Sequence, residues 1–138
     1  MIKINFKHKT PIQIRFNDID IAGHVNNAVH LYYYDYGRMM YFNQIFKDNI
    51  KWTEIGFVLA NININYENPI FLDEKIFVNT KITNIGNKSL TMIQQIINDK
   101  NQIKSNNTSI MVGYNYQTKE SLKINNDLRK MINDFENN

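Results

Sequence analysis

Ten consecutive residues, Asp18-Ile19-Asp20-Ile21-Ala22-Gly23-His24-Val25-Asn26-Asn27, gather two carboxylates, a glycine, an imidazole and two amides. A carboxylate can serve as general base or nucleophile. Backbone N–H groups at the start of a helix have no intrahelical acceptor and can hold a developing oxyanion. A base on one side and oxyanion donors on the other are what acyl transfer to water requires. Each residue also has a plain structural use. Aspartate bonds nearby N–H groups in turns and is favoured near a helix amino end, and asparagine caps helices. The carboxylates of the turn, Asp18 and Asp20, are the candidate chemical groups.

Other catalytic schemes find little support. Ser89, Ser105, Ser109 and Ser121 lack a strained elbow motif, and His8, His24 and His30 lack zinc-ligand spacing, so no metal is expected. The five glycines are dispersed and make no phosphate-cradling loop. No aromatics interleave with basic residues as on a nucleic-acid platform.

The elements that must position these groups are visible in the hydrophobic periods. Ile12, Ile14 and Phe16 alternate as in a short strand, which would put Asp18 and Asp20 on one face at its end. From Asn27 to Phe46 the spacing predicts one long helix. Val29, Tyr32, Tyr33, Tyr36 and Met40 form its apolar side, and His30, Tyr34 and Arg38 a narrow polar stripe. Asp35 and Arg38 are spaced for an intrahelical ion pair. Crowded on almost every face, such a helix should be nearly surrounded by protein. After Trp52 the period becomes two, in four runs around Ile62-Ile64-Tyr66, Ile76-Val78-Ile82, Leu90-Met92-Ile96 and Ile110-Val112-Tyr114. A short helix from Asn126 to Phe135, capped by Asn125 or Asn126, closes the chain. The whole predicts an α+β architecture, an antiparallel sheet wrapped around one helix.

At 138 residues the chain suits a single domain, 1–138. Its formal charge of +3 is too small and scattered for nucleic acid, though it suits an anionic small ligand. The absence of cysteine excludes a disulfide framework and a cysteine nucleophile, and fits a reducing compartment. No run approaches the roughly 18 apolar residues of a membrane span. Met1 to Lys9 carries charges without an apolar block, so no secretory signal is expected and the cytoplasm is the expected location. With 23 Asn and 22 Ile spread through the chain, a lone asparagine means little. Asn26 and Asn27 count because they accompany Asp20, Gly23 and His24 at the head of a helix.

Asp18-Ile19-Asp20, Gly23-His24-Val25-Asn26-Asn27-Ala28 and the aromatic run Tyr32-Tyr33-Tyr34-Asp35-Tyr36-Gly37-Arg38 resemble the hotdog-fold thioesterases of the 4-hydroxybenzoyl-CoA thioesterase type. Tyr66-Glu67-Asn68-Pro69-Ile70 and Ile85-Gly86-Asn87-Lys88-Ser89 extend the resemblance. It implies a hotdog fold, a five-stranded antiparallel sheet around one long central helix, and hydrolysis of acyl thioesters without a cofactor. By that resemblance Asp20 attacks the thioester or activates water, and the Asn27 N–H polarises the carbonyl. His24 assists or touches substrate, while Lys88 and Ser89 contact CoA phosphates. A single basic residue at that turn leaves acyl-carrier protein open as an alternative carrier. The resemblance further implies a homodimer, or a tetramer of dimers. The partner subunit would supply part of the acyl pocket around Leu59-Ala60-Asn61. A hydroxyacyl thioester dehydratase and a non-catalytic acyl-thioester binder remain as alternatives.

Overall fold

In this computed structural model, residues 3–138 are described. Met1 and Ile2, the start of the stretch read as lacking a secretory signal, lie outside them. The elements in chain order are β1 (His8–Ile12), a 3-10 turn (Phe16–Asp18), α1 (Val29–Phe46), β2 (Ile55–Tyr66) and β3 (Ile76–Ile85). They continue with β4 (Ser89–Asn98), β5 (Ile103–Asn115), β6 (Glu120–Ser121) and α2 (Asn126–Asn137). The strands pair antiparallel in the order β1-β3-β4-β5-β2, and the two-residue β6 pairs with the end of β5. One long helix packed on an antiparallel sheet is the α+β, hotdog-type arrangement that the sequence led us to expect. No helix among the described residues is long and apolar enough to cross a membrane.

Tyr41, Phe42, Ile45 and Phe46 of α1 pack with Leu90, Met92 and Met111 of the sheet and with Leu128 and Ile132 of α2. Asn125 starts α2, its side chain accepting the Leu128 N–H at 2.9 Å. Nearer the amino end of α1, Tyr33 and Tyr34 pack with Val25, Ile70, Ile76, Val78 and Ile96.

The helix faces the sheet with the side expected to be polar. His30, Tyr34 and Arg38 are buried, while Tyr32 is 71% and Tyr36 45% exposed, contrary to the expected apolar side. The reason lies in the sheet, whose inner face carries Thr80, Gln94, Ser105 and Asn107, all buried. Gln94 donates to the Tyr34 carbonyl and to Thr80, and Arg38 reaches Gln94 Oε1 at 3.4 Å. Buried polar groups are usually paired, and most of these pair with one another across the helix–sheet interface, Arg38 Nε and Asn107 Oδ1 excepted. Arg38 also pairs with Asp35, as the spacing suggested.

Gly37 lets α1 approach the sheet at this level. A Cβ there would stand 2.6 Å from Val78 Cγ1 and 2.9 Å from Val78 Cβ. Alanine is the better helix former by about 1 kcal/mol, but overpacking a buried site costs about 1–3 kcal/mol. Gly37→Ala should therefore lower the unfolding free energy, by up to about 2 kcal/mol, in a denaturant titration. Unchanged or raised stability would mean that the helix moves away from Val78 freely.

Candidate active site

The strand expected through Phe16 ends at Ile12, so Asp18 and Asp20 do not share a strand face. The chain instead coils through the 3-10 turn, with Phe16 80% exposed. The cause is Asp18. Its carboxylate accepts the Arg15 N–H at 2.9 Å while its own N–H donates to the Arg15 carbonyl at 2.9 Å. The same oxygen accepts the Tyr33 hydroxyl at 2.6 Å, tying the turn to α1. Burial first, and then that bond to Asp18, raises the Tyr33 hydroxyl pKa far above its usual range.

Asp20 opens the next turn. Its N–H donates to the His24 carbonyl at 3.1 Å, and the Gly23 N–H returns to the Asp20 carbonyl at 3.0 Å. Gly23 has φ +88°, a conformation that side-chain-bearing residues rarely adopt. The reversal lets Ile19 and Val25 bridge, and the Val25 N–H docks on the Ile70 carbonyl at 2.8 Å. Asp20 Oδ1 accepts the Ala22 N–H at 2.9 Å, and Oδ2 accepts the Asn26 amide at 3.0 Å. The turn is held by its own aspartate, as any Asx turn is, and the half-buried carboxylate is thereby fixed in direction.

Asn27 lies just outside the helix, because Ala28 is the N-cap. Both peptides flanking Asn27 are pinned. The Asn26 carbonyl accepts the Val29 N–H at 2.9 Å, and the Asn27 carbonyl accepts the Tyr66 hydroxyl at 2.8 Å. The Ala28 N–H is taken by Asn26 Oδ1 at 2.8 Å. In a trans peptide the N–H points opposite to the carbonyl. The Asn27 N–H is therefore turned away from the helix, and it has no acceptor among the described residues.

His24, Val25, Asn27, His30, Tyr66 and Pro69 are among the residues lining a cavity of about 270 Å³. His24 has an edge contact to Phe71, with ring centroids 6.5 Å apart, and its Nδ1 lies 3.4 Å from the Val25 carbonyl. His30 is buried, with its Nδ1 2.9 Å from Ser105 Oγ. Burial, then repulsion from His24, pushes its pKa down to about 4.

The other predicted contacts stand elsewhere in the chain. Lys88 is exposed at the β3–β4 hairpin and donates to Ser121 Oγ at 3.0 Å, while Ser89 is half-buried beside it. Ser89 pairs with Val112, whereas Tyr66 pairs with Ser105. Those seven steps of β5 separate the hairpin from the Asp20 turn by about 23 Å, at roughly 3.3 Å per residue. Ala60 and Asn61 sit exposed on the edge strand β2, where the register slips between Leu59 and Asn61 and leaves Ala60 as a bulge. Asn26 and Tyr66, which hold the Asp20 carboxylate and the Asn27 carbonyl, stood in the motifs quoted from the sequence but received no catalytic or binding role there.

The model of the thioesterase-like superfamily matches residues 14–132. Among curated proteins, the long-chain acyl-CoA thioesterase FadM of Escherichia coli is 27% identical over 128 residues, covering 90% of this chain and 96% of its own. The acyl-CoA thioester hydrolase YbgC of E. coli is 25% identical, covering 67% of this chain and 71% of its own. Among solved structures, a Thermus thermophilus thioesterase complexed with coenzyme A and zinc superposes with a TM-score of 0.84 at 27% identity, covering 96% of each chain.

Asp18 is placed as a structural acid, and its loss should register in stability. Removing a half-exposed carboxylate that accepts two hydrogen bonds costs about 1–2 kcal/mol. Asp18→Ala should lower the urea midpoint accordingly. A midpoint equal to that of the unsubstituted protein would contradict this role.

Proposed function

Because this chain belongs to the thioesterase-like superfamily, we propose that it hydrolyses acyl-CoA to the free acid and thiol, with Asp20 and the Asn27 N–H as its catalytic pair. One observation carries the reading. The Asn26 carboxamide bridges the Asp20 carboxylate and the first turn of α1, leaving the adjacent Asn27 N–H without an acceptor. A thioester carbonyl set against that N–H has its carbon open to attack from the Asp20 side. Asp20 takes the proton of an attacking water, or attacks first and is released by water. Either way the carbonyl oxygen becomes an oxyanion at Asn27, and the C–S bond breaks as the tetrahedral centre collapses. The thiolate leaves and is protonated. The relative FadM, named for long-chain acyl-CoA, supports the CoA thioester class. His24, which lines a cavity with Asn27, contacts the substrate.

The chain acts as one domain, 1–138, and as a dimer. β2 is an edge of the sheet, with unpaired N–H and C=O groups along a long strand that another strand can cover. Pairing two β2 strands antiparallel across a two-fold axis reverses the ends of one sheet relative to the other. That brings the partner subunit's Lys88 and the partner subunit's Ser89 to the end where Asp20 lies. It also sets Ala60 and Asn61 along the seam. The lysine ammonium and serine hydroxyl then hold CoA phosphate oxygens, a role that one subunit alone places too far from the turn.

Asp20→Asn keeps an acceptor for the Ala22 N–H but carries no charge and sets an NH2 against the Asn26 amide nitrogen. Turnover of an acyl-CoA panel should fall by about 10²-fold or more in a folded protein, as judged by circular dichroism. Retained activity would remove Asp20 from the mechanism. In light scattering under assay conditions, the active species should have at least twice the 16.4 kDa mass of the chain. An active single chain would contradict the shared site.

A further inference from the structure

We propose that His30 is a second oxyanion donor, its imidazole fixed as the Nε2–H tautomer with that N–H facing the cleft beside Asn27. This rests on the thioesterase reading above and adds a residue to it. His30 lies in the first turn of α1, where helical side chains lean back toward the amino end. Its ring meets Tyr66 edge-on, centroids 4.9 Å apart, and the Tyr66 hydroxyl holds the Asn27 carbonyl. His30, Tyr66 and Asn27 thus form one contact group on the wall of the 270 Å³ cavity.

The tautomer follows from a buried chain of hydroxyls. Ser105 Oγ stands 2.6 Å from the Tyr34 hydroxyl and 2.9 Å from His30 Nδ1, and both Tyr34 and Ser105 are 0% exposed. Tyr34 has no other acceptor for its proton among the described residues, and an unmade buried bond is costly. The tyrosine therefore donates to Ser105, Ser105 donates to His30 Nδ1, and the neutral ring carries its proton on Nε2. His30 itself is 2% exposed, and Nε2 has no partner among the described residues. The titratable groups around the ring are His24 on the turn, Tyr34 on α1, Tyr66 on β2 and Glu67 just after it. With its pKa down to about 4 the ring stays neutral at physiological pH. It stabilises an oxyanion by hydrogen bonding without surrendering a proton, which leaves proton transfer to Asp20.

The test compares the unsubstituted protein with His30→Phe and His30→Gln, whose amide nitrogen reaches the position of Nε2. His30→Phe should lower kcat on acyl-CoA by about 10²-fold, the scale for one oxyanion donor, with KM within a few-fold. His30→Gln should recover to within about tenfold of the parent. Nitrogen-15 NMR of histidine-labelled protein should report the Nε2–H form of His30 from pH 8 down to 5. A native kcat in His30→Phe, His30→Gln no better than His30→Phe, or an Nδ1–H ring would each overturn the proposal. If the unsubstituted protein hydrolyses no acyl-CoA, the thioesterase reading falls instead. An active parent with an unaffected His30→Phe removes only this donor.

Discussion

The site depends on the side chain of one residue, Asn26. Its amide nitrogen donates to Asp20 Oδ2 and its amide oxygen accepts the Ala28 N–H. Its backbone is equally committed, the N–H to the Asp18 carbonyl and the carbonyl to the Val29 N–H. A small planar group with one donor end and one acceptor end thus sets the angle between a carboxylate and the start of a helix. Aspartate in its place would set two carboxylates against each other, and alanine would free both partners. With the peptides on either side bonded, the direction of the free Asn27 N–H is decided by its neighbours. Catalytic donors gain from such fixing, since no reorganisation is needed as charge develops.

That local frame holds only if α1 is itself fixed, and the fixing is partly polar. Between the aromatic cluster around Phe42 and the aliphatic one around Val78 lies a layer of Arg38, Gln94, Thr80 and Asn107. Hydrogen bonds across that layer have a direction that apolar packing lacks, so they set the rotation of α1 about its axis as well as its depth. Gly37 sets the depth by admitting Val78 against the helix backbone. At the amino end, Tyr33 to Asp18, Tyr66 to Asn27 and His30 to Ser105 join the helix start to the preceding turn, β2 and β5.

The period of the strands and the aromatic density of α1 made the helix-on-sheet architecture legible, as did Asn125 at the head of α2. The strand expected through Phe16 was misread because alternation in Ile12-Gln13-Ile14-Arg15-Phe16 carries no record of Asp18 capturing the Arg15 N–H. The orientation of α1 was misread for a related reason. Hydrophobicity assigns Tyr32 and Tyr36 inward and Arg38 outward, yet the polar inner face of β4 and β5 selects the opposite side. That selection is a tertiary fact, invisible until Gln94 and Ser105 are placed opposite the helix. A tight turn held by Asp20 just ahead of the helix was legible because the acid, the glycine and the helix start are adjacent in sequence. Tyr66 was not, since 39 residues separate it from the carbonyl that it holds.

The central claim is that Asp20 and the Asn27 N–H address the same carbonyl. The most direct measurement is a crystal structure with an acyl-CoA analogue in which a methylene replaces the thioester sulfur, leaving a ketone that cannot be hydrolysed. The account predicts the ketone oxygen at about 2.7–3.1 Å from the Asn27 nitrogen, with the carbonyl carbon facing the Asp20 carboxylate. A ketone bound away from Asn27, or turned so that its carbon faces no carboxylate, would contradict it.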